Sequence, residues 1–143
     1  MSWTYNKEVI TDLLECEGFV YLITNKIDGR RYIGKKLAKF TKTSIKTITL
    51  KSGEKKKKRV KSKVESDWME YWSSSIELQN DVKTLGKENF TREILHYCRT
   101  KGECSYMEMK EQIINDVLLK PNDWYNAFVG GKIHRNHVKN LFK

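Results

Sequence analysis

At 143 residues the chain has room for one well-buried core and not two. Its hydrophobic share of 38% and aromatic share of 11% exclude a disordered chain, and no apolar run approaches the roughly 20 residues of a membrane-spanning helix. The net charge is +10, and it is segregated: residues 30–63 hold 15 bases and one acid, Glu54, while residues 132–143 hold four bases and no acid. Such sorting presents one face to a polyanion. Nucleic acid comes first, because neutralised phosphates release counterions. An anionic membrane surface comes second, but the basic stretch has too few apolar residues at helical spacing for an interfacial helix. The three cysteines are no disulfide framework, and the N-terminus lacks the basic and apolar segments of a secretory signal. An intracellular, cytoplasmic setting is the expectation.

Taken in chain order, Lys7 to Glu17 places Val9, Ile10, Leu13 and Leu14 at helical spacing, predicting a helix within the N-terminal segment 1–17. Phe19 to Thr24 is a β-rich run, Asn25 to Gly29 is turn chemistry, and Arg30 to Gly34 resumes as a strand, predicting a β-hairpin. Residues 44–50 alternate apolar and polar, Ser52-Gly53-Glu54 turns, and 55–62 is basic, predicting a second, exposed hairpin over 44–63. Trp68, Trp72 and Ile76 return to helical spacing. Ser74 and Glu77 have capping-box spacing, and Gly86 is a helix stop. Asn89 to Cys98 reads as a third strand. Ser105 to Leu119 reads as a helix opened by Ser105 and Glu108, with Pro121 beyond its end. The sum is α+β: a small three-stranded antiparallel sheet flanked by helices, with an inserted basic β-hairpin. No Ser/Gly linker or repeat divides the chain, so residues 1–143 read as a single domain with a basic tail at 132–143.

Phe19-Val20-Tyr21, ten residues, and then Tyr32-Ile33-Gly34 resembles the paired-strand signature of the GIY-YIG nuclease family. Val20-Tyr21 stands for the Ile-Tyr of the first half, Gly18 is displaced by one residue, and the second half is intact. The resemblance continues through Ser73 to Leu78, Asn89-Phe90, a Glu-bearing helix with Glu108, and Tyr125-Asn126 near Gly130-Gly131. It implies a three-stranded sheet flanked by helices, and a phosphodiester hydrolase similar to small phage-encoded homing-type nucleases, acting inside an infected host cell.

The resemblance also implies site residues. Phosphodiester hydrolysis needs an activated water, charge stabilisation at phosphorus and help for the leaving oxygen. The family holds one divalent ion, Mg²⁺ or Mn²⁺, on a Glu, which carries over to Glu108 with Glu111 as runner-up. The plainer alternative for Glu108 is a capping partner of Ser105. Tyr21 and Tyr32 are the family tyrosines, one acting as general base or orienting the water. A free phenol titrates near ~10, so a basic role needs a cationic, metal-adjacent site. The plainer alternative is packing across a hairpin. The family Arg is missing at its usual distance, where Lys42 stands. Arg59 is the candidate, with Lys63 behind it, against a solvated charge run. Asn126 corresponds to the family's Asn, against a turn residue bonding its own backbone.

Lys35 and Lys36 follow the motif and are expected to touch phosphate. Lys55, Lys56, Lys57, Lys58, Lys61 and Lys63 on the hairpin, with Lys132 and Arg135 in the tail, are expected to run along double-stranded DNA. Cys98, Cys104, His134 and His137 have spacing too loose for a zinc site and read as buried thiols and surface histidines. Trp68 and Trp72 read as core rather than base-stacking residues. The alternative to an endonuclease is a non-catalytic nucleic-acid-binding module on the same scaffold. An RNA-binding reading shares the charge argument but has no RNA motif.

Overall fold

The computed structural model describes residues 2–13, 15–130, 135 and 137. Its centre is the hairpin of β3 (Gly18–Asn25) and β4 (Arg31–Leu37). The turn is closed by side chains: Asn25 Oδ1 accepts the Ile27 amide, Asp28 Oδ1 accepts the Arg30 amide, and Gly29 takes φ 81°. On the other side of β3 lies β7 (Phe90–Cys98), antiparallel to it. Beyond that, β1 (Trp3–Tyr5) runs parallel to β7, and β2 (Glu8–Val9) closes a small hairpin on β1.

The order β2-β1-β7-β3-β4 makes a five-stranded mixed sheet, which corrects the expected three-stranded antiparallel sheet flanked by helices. Residues 7–17 hold no helix among those described. Asn6 and Lys7, at φ 50° and 70°, turn the chain sharply into β2. Trp3 is the anchor: it is buried, and its indole N–H donates to the Trp68 carbonyl at 2.8 Å. Val9, counted on a helical face, is 64% exposed. The mostly strand architecture contains two α-helices among the described residues, α1 (Ile76–Leu85) and α2 (Lys101–Ile114).

The helical spacing of Trp68 and Trp72 yields only a 3-10 turn over Trp68–Glu70. Ser73 at φ 81° breaks it, and α1 starts afresh with Ser75 Oγ accepting the Leu78 amide at 3.3 Å. It ends at Gly86, as the sequence implies. The helix expected from Ser105 begins a turn earlier, because Thr100 Oγ1 accepts the Glu103 amide at 3.1 Å. Ser105 is thereby left for other work.

The alternation of β3 divides the core. Phe19, Tyr21 and Ile23 pack with Trp3, Trp68, Phe90, Ile94 and the Leu78 and Val82 of α1. Val20 packs on the opposite face with Ile33, Cys98, Val117, Trp124 and the Cys104 of α2. Edge strand β4 is where both layers meet solvent.

From the end of β4 the chain leaves the sheet as a two-stranded ribbon, β5 (Lys39–Thr49) and β6 (Lys55–Glu65). This is the expected basic hairpin, extended at its base. Its stem is clasped by Ser66, whose amide donates to the Ala38 carbonyl and whose hydroxyl donates to the Leu37 carbonyl.

Candidate active site

Tyr21 sits opposite Gly34 in the β3–β4 ladder. A register shift against β7 falls between Val20 and Tyr21, the kind of bulge that re-aims a side chain. The Tyr21 ring then lies over Gly34, 6.1 Å from the Tyr32 ring and 5.9 Å from the Tyr71 ring. Tyr21 is 1% exposed. Burial, followed by the neighbouring Tyr71 and Tyr32 phenols and the Glu108 carboxylate, holds its hydroxyl well above the ordinary phenol range. Tyr32 is half-buried and shares a 3.3 Å hydrogen bond with Ser74 Oγ. Burial raises its pKa too, with the Ser74 contact opposing. Both phenols are neutral near pH 7, so each can donate a proton to a hydrogen bond.

These rings line a cleft of about 570 Å³ at the β4 edge, shared with Lys35, Ser74, Glu108, Gln112, Tyr125, Asn126 and Phe128. Glu108 and Gln112 lie one turn apart on α2. Burial raises the Glu108 pKa, while the Lys35 ammonium and the Lys35 backbone N–H pull it down. Lys35 Nζ donates to Ser105 Oγ, one turn before Glu108. The cleft lining thus holds two carboxylates, Glu108 and Glu77, three phenols and an ammonium; Glu77 is already paired with Arg30. Glu111, the runner-up, pairs with His96 at 2.8 Å and is absent from the cleft lining.

A hard cation such as Mg²⁺ takes one or two carboxylates and completes its shell with water and substrate phosphate. Glu108 fits that demand, since burial disfavours its charge and a cation would offset this. Among the described residues no three His, Cys, Asp or Glu side chains gather, so no all-protein cage exists there.

Asn126 lines the cleft, but its amide is committed. It donates to the Ile33 carbonyl at 2.8 Å and accepts the Ile33 amide at 3.1 Å, extending the pairing of edge strand β4. Gln112 donates to the same carbonyl at 2.9 Å. Arg59 lies exposed on β6, paired with Ile45, and does not line the cleft. Lys36 turns inward: its ammonium meets Asp67 at 2.6 Å and lies 4.1 Å from the centre of the Tyr71 ring. Lys55, Lys56, Lys57, Lys58, Lys61 and Lys63 are exposed along β6. Arg135 is exposed, and Lys132 with His134 lies outside the described residues. Cys98 and Cys104 are buried free thiols.

Sequence reasoning missed Tyr71, Ser74 and Tyr125 as cleft neighbours. Ser74 carries a capping-box signal in the sequence, and Tyr71 carries no motif signal. Tyr125 Oη donates to Asp81 at 2.7 Å and accepts from Asn25 at 3.0 Å, and Arg30 stacks 4.0 Å over its ring. Arg30 also pairs with Glu77. This network ties α1 to the hairpin turn beside the cleft.

The hairpin thus sets Tyr21 over Gly34 with Tyr32 beside it, and Glu108 reaches in from α2. A family model described as "Putative endonuclease segE, GIY-YIG domain" matches residues 3–129, and the chain belongs to that GIY-YIG endonuclease family. It is 33% identical over 113 residues to "Putative endonuclease segE" of enterobacteria phage T4, covering 79% of this chain and 42% of that protein. It is 27% identical over 113 residues to "Putative endonuclease segD" of the same phage, covering 79% and 38%. The chain therefore spans less than half the length of these curated relatives. No solved structure matches it. No helix among the described residues is long and apolar enough to cross a membrane.

Proposed function

We propose that the chain is a metal-dependent DNA endonuclease that hydrolyses phosphodiester bonds of duplex DNA, one strand per visit, inside the cell that a phage of this kind infects. The observation that carries this reading is that Glu108 shares one cleft with Tyr21, Tyr32 and Lys35.

Glu108 would hold Mg²⁺ or Mn²⁺. When bound, the ion supplies charge stabilisation at phosphorus and a more acidic water. Tyr32, the more exposed phenol, orients the attacking water. Tyr21, buried and bonded to Tyr71, stays protonated and supports Tyr32 across the hairpin. Lys35, steadied by Ser105, meets the scissile phosphate. Arg59 meets the DNA from the ribbon, away from the reacting phosphate. Asn126 acts by fixing the β4 backbone at Ile33, between Tyr32 and Gly34.

Supercoiled plasmid incubated with the protein and Mg²⁺, with and without EDTA, tests this. Nicking that disappears with EDTA and with Glu108→Ala is the expected result. Binding without cleavage, lost steeply with salt, would instead make the chain a non-catalytic module.

A further inference from the structure

The β5–β6 ribbon has two chemically distinct faces. Its strands pair in register from Lys39↔Glu65 at the base to Thr49↔Lys55 at the tip. Side chains alternate across a strand, so Lys55, Lys57, Arg59, Lys61 and Lys63 share one face. Directly opposite them stand Thr49, Thr47, Ile45, Thr43 and Thr41. Between Thr41 and Thr49, and between Lys55 and Lys63, this face carries no acid. It consists of donors, hydroxyls and methyl groups. The other face mixes Lys42, Lys46, Lys56 and Lys58 with Phe40, Val60, Val64 and Ile48.

We propose that the lysine–threonine face enters the major groove of duplex DNA and reads base edges, so that choice of cut site resides in the ribbon. This rests on the nuclease reading above and adds where specificity lies. Four observations support it. Each strand is 11 residues long, which at about 3.4 Å per residue spans roughly one helical turn of DNA. A two-stranded ribbon fits the major groove, which is about 12 Å wide. Lysine and arginine match the acceptors of guanine, and threonine matches acceptors and the thymine methyl. Finally, the ribbon is solvent-exposed along nearly its whole length, and a two-stranded hairpin is marginally stable by itself. A groove would supply the surface that the protein does not.

The ribbon begins at Lys39, two residues beyond the end of β4, the strand that carries Tyr32 into the cleft. A duplex gripped by the ribbon is therefore tied covalently, over a few residues, to the catalytic edge. On this arrangement the lysines of the second face reach the flanking phosphates.

The test uses three variants of the full chain, each checked for unchanged secondary structure and melting. One is Thr41→Val, Thr43→Val, Thr47→Val and Thr49→Val together, which keeps volume and strand preference but removes the hydroxyls. The second is Lys57→Gln, Arg59→Gln and Lys61→Gln. The third is Lys42→Gln, Lys46→Gln, Lys56→Gln and Lys58→Gln. Cut positions are sequenced on a random-sequence duplex library. Guanine N7 protection from dimethyl sulfate is recorded with Glu108→Gln protein, which needs binding but no cleavage. The first two variants should change the base preference near the cut, and the second should lose N7 protection. The third should weaken binding alike on all sequences and lower the log–log salt slope by about 3–4.

Unchanged cut positions and unchanged N7 protection in the first two variants would overturn the proposal. They would leave the ribbon as a sequence-blind backbone grip. Absence of any cutting by the unmodified protein would instead sink the nuclease reading, and N7 protection would still decide the ribbon's role.

Discussion

Gly34 faces Tyr21 across the β3–β4 ladder so closely that a Cβ on it would lie 2.5 Å from the Tyr21 hydroxyl and 2.8 Å from Tyr32 Cε1. The glycine is therefore required by the two tyrosines rather than by a turn. Gly34→Ala must push both rings aside. Overpacking of this kind costs about 1–3 kcal/mol. A displacement near 1 Å at reacting groups costs about 10²-fold in rate. The expected outcome is a modest fall in urea midpoint with a fall of about 10²-fold in single-turnover nicking. Full activity in Gly34→Ala would show that the phenols take no part.

The two phenols should separate under mutation. Tyr32→Phe removes the hydroxyl closer to solvent and should lower single-turnover cleavage by about 10²-fold with little change in DNA binding. Tyr21→Phe removes a buried hydroxyl paired with Tyr71, so it should act more weakly on rate and more on stability. Equal rate losses would place both hydroxyls on the reacting groups.

Arg92 is a support for the cleft from behind. Its guanidinium lies 4.7 Å from the Trp3 ring centre and 4.2 Å from that of Trp72, and it donates to the carbonyls of Met69 and Tyr71 at 3.0 and 2.9 Å. Burial pushes its pKa down to about 10, which leaves it cationic at neutral pH. Arg92→Met should destabilise the fold by about 2–3 kcal/mol in urea unfolding. Arg92→Lys should recover only part, because an ammonium can donate to both carbonyls but cannot stack its plane on the Trp3 and Trp72 rings. Nicking should fall in parallel, since Tyr71 packs on Tyr21.

Alkaline stability follows from Tyr125. Chiefly through burial, with the Asp81 hydrogen bond adding, its pKa is pushed up to about 12. In the unfolded chain a tyrosine loses its proton near ~10. Between those values the unfolded state binds fewer protons than the native one, so stability is complete below pH ~10 and falls as pH rises. Melting temperature followed from pH 8 to 12 should drop less for Tyr125→Phe than for the natural chain, though the variant starts lower. Parallel curves would remove Tyr125 from this linkage.

The hairpins were legible because their signals are local. Strand alternation and the Asp28-Gly29 turn place β3 and β4, and Thr/Ile alternation places β5. The parallel pairing of β1 with β7 joins Trp3 to Arg92, a separation no period in the sequence encodes. Helical spacing misled twice. Val9, Ile10 and Leu13 fit a helix face, but positive φ at Asn6 and Lys7 commits the chain to a strand turn. Trp68 and Trp72 fit another, but Ser73 in the left-handed region ends it, held by its hydroxyl on the Ser75 amide at 3.1 Å and its carbonyl on Gln79 Nε2 at 2.6 Å. At the site, Tyr21, Tyr32, Glu108 and Asn126 were visible through motif position. Tyr71 was not, because only folding brings its loop to Tyr21.

The clasp at Ala38 and Ser66 has an architectural consequence. Because the stem closes at the edge of the core, where Ala38 is buried, the exposed length of the ribbon beyond it carries no core contact. Changes of ribbon length should therefore leave the stability of the β3–β4 hairpin untouched, a decoupling that melting of a ribbon-shortened variant would read.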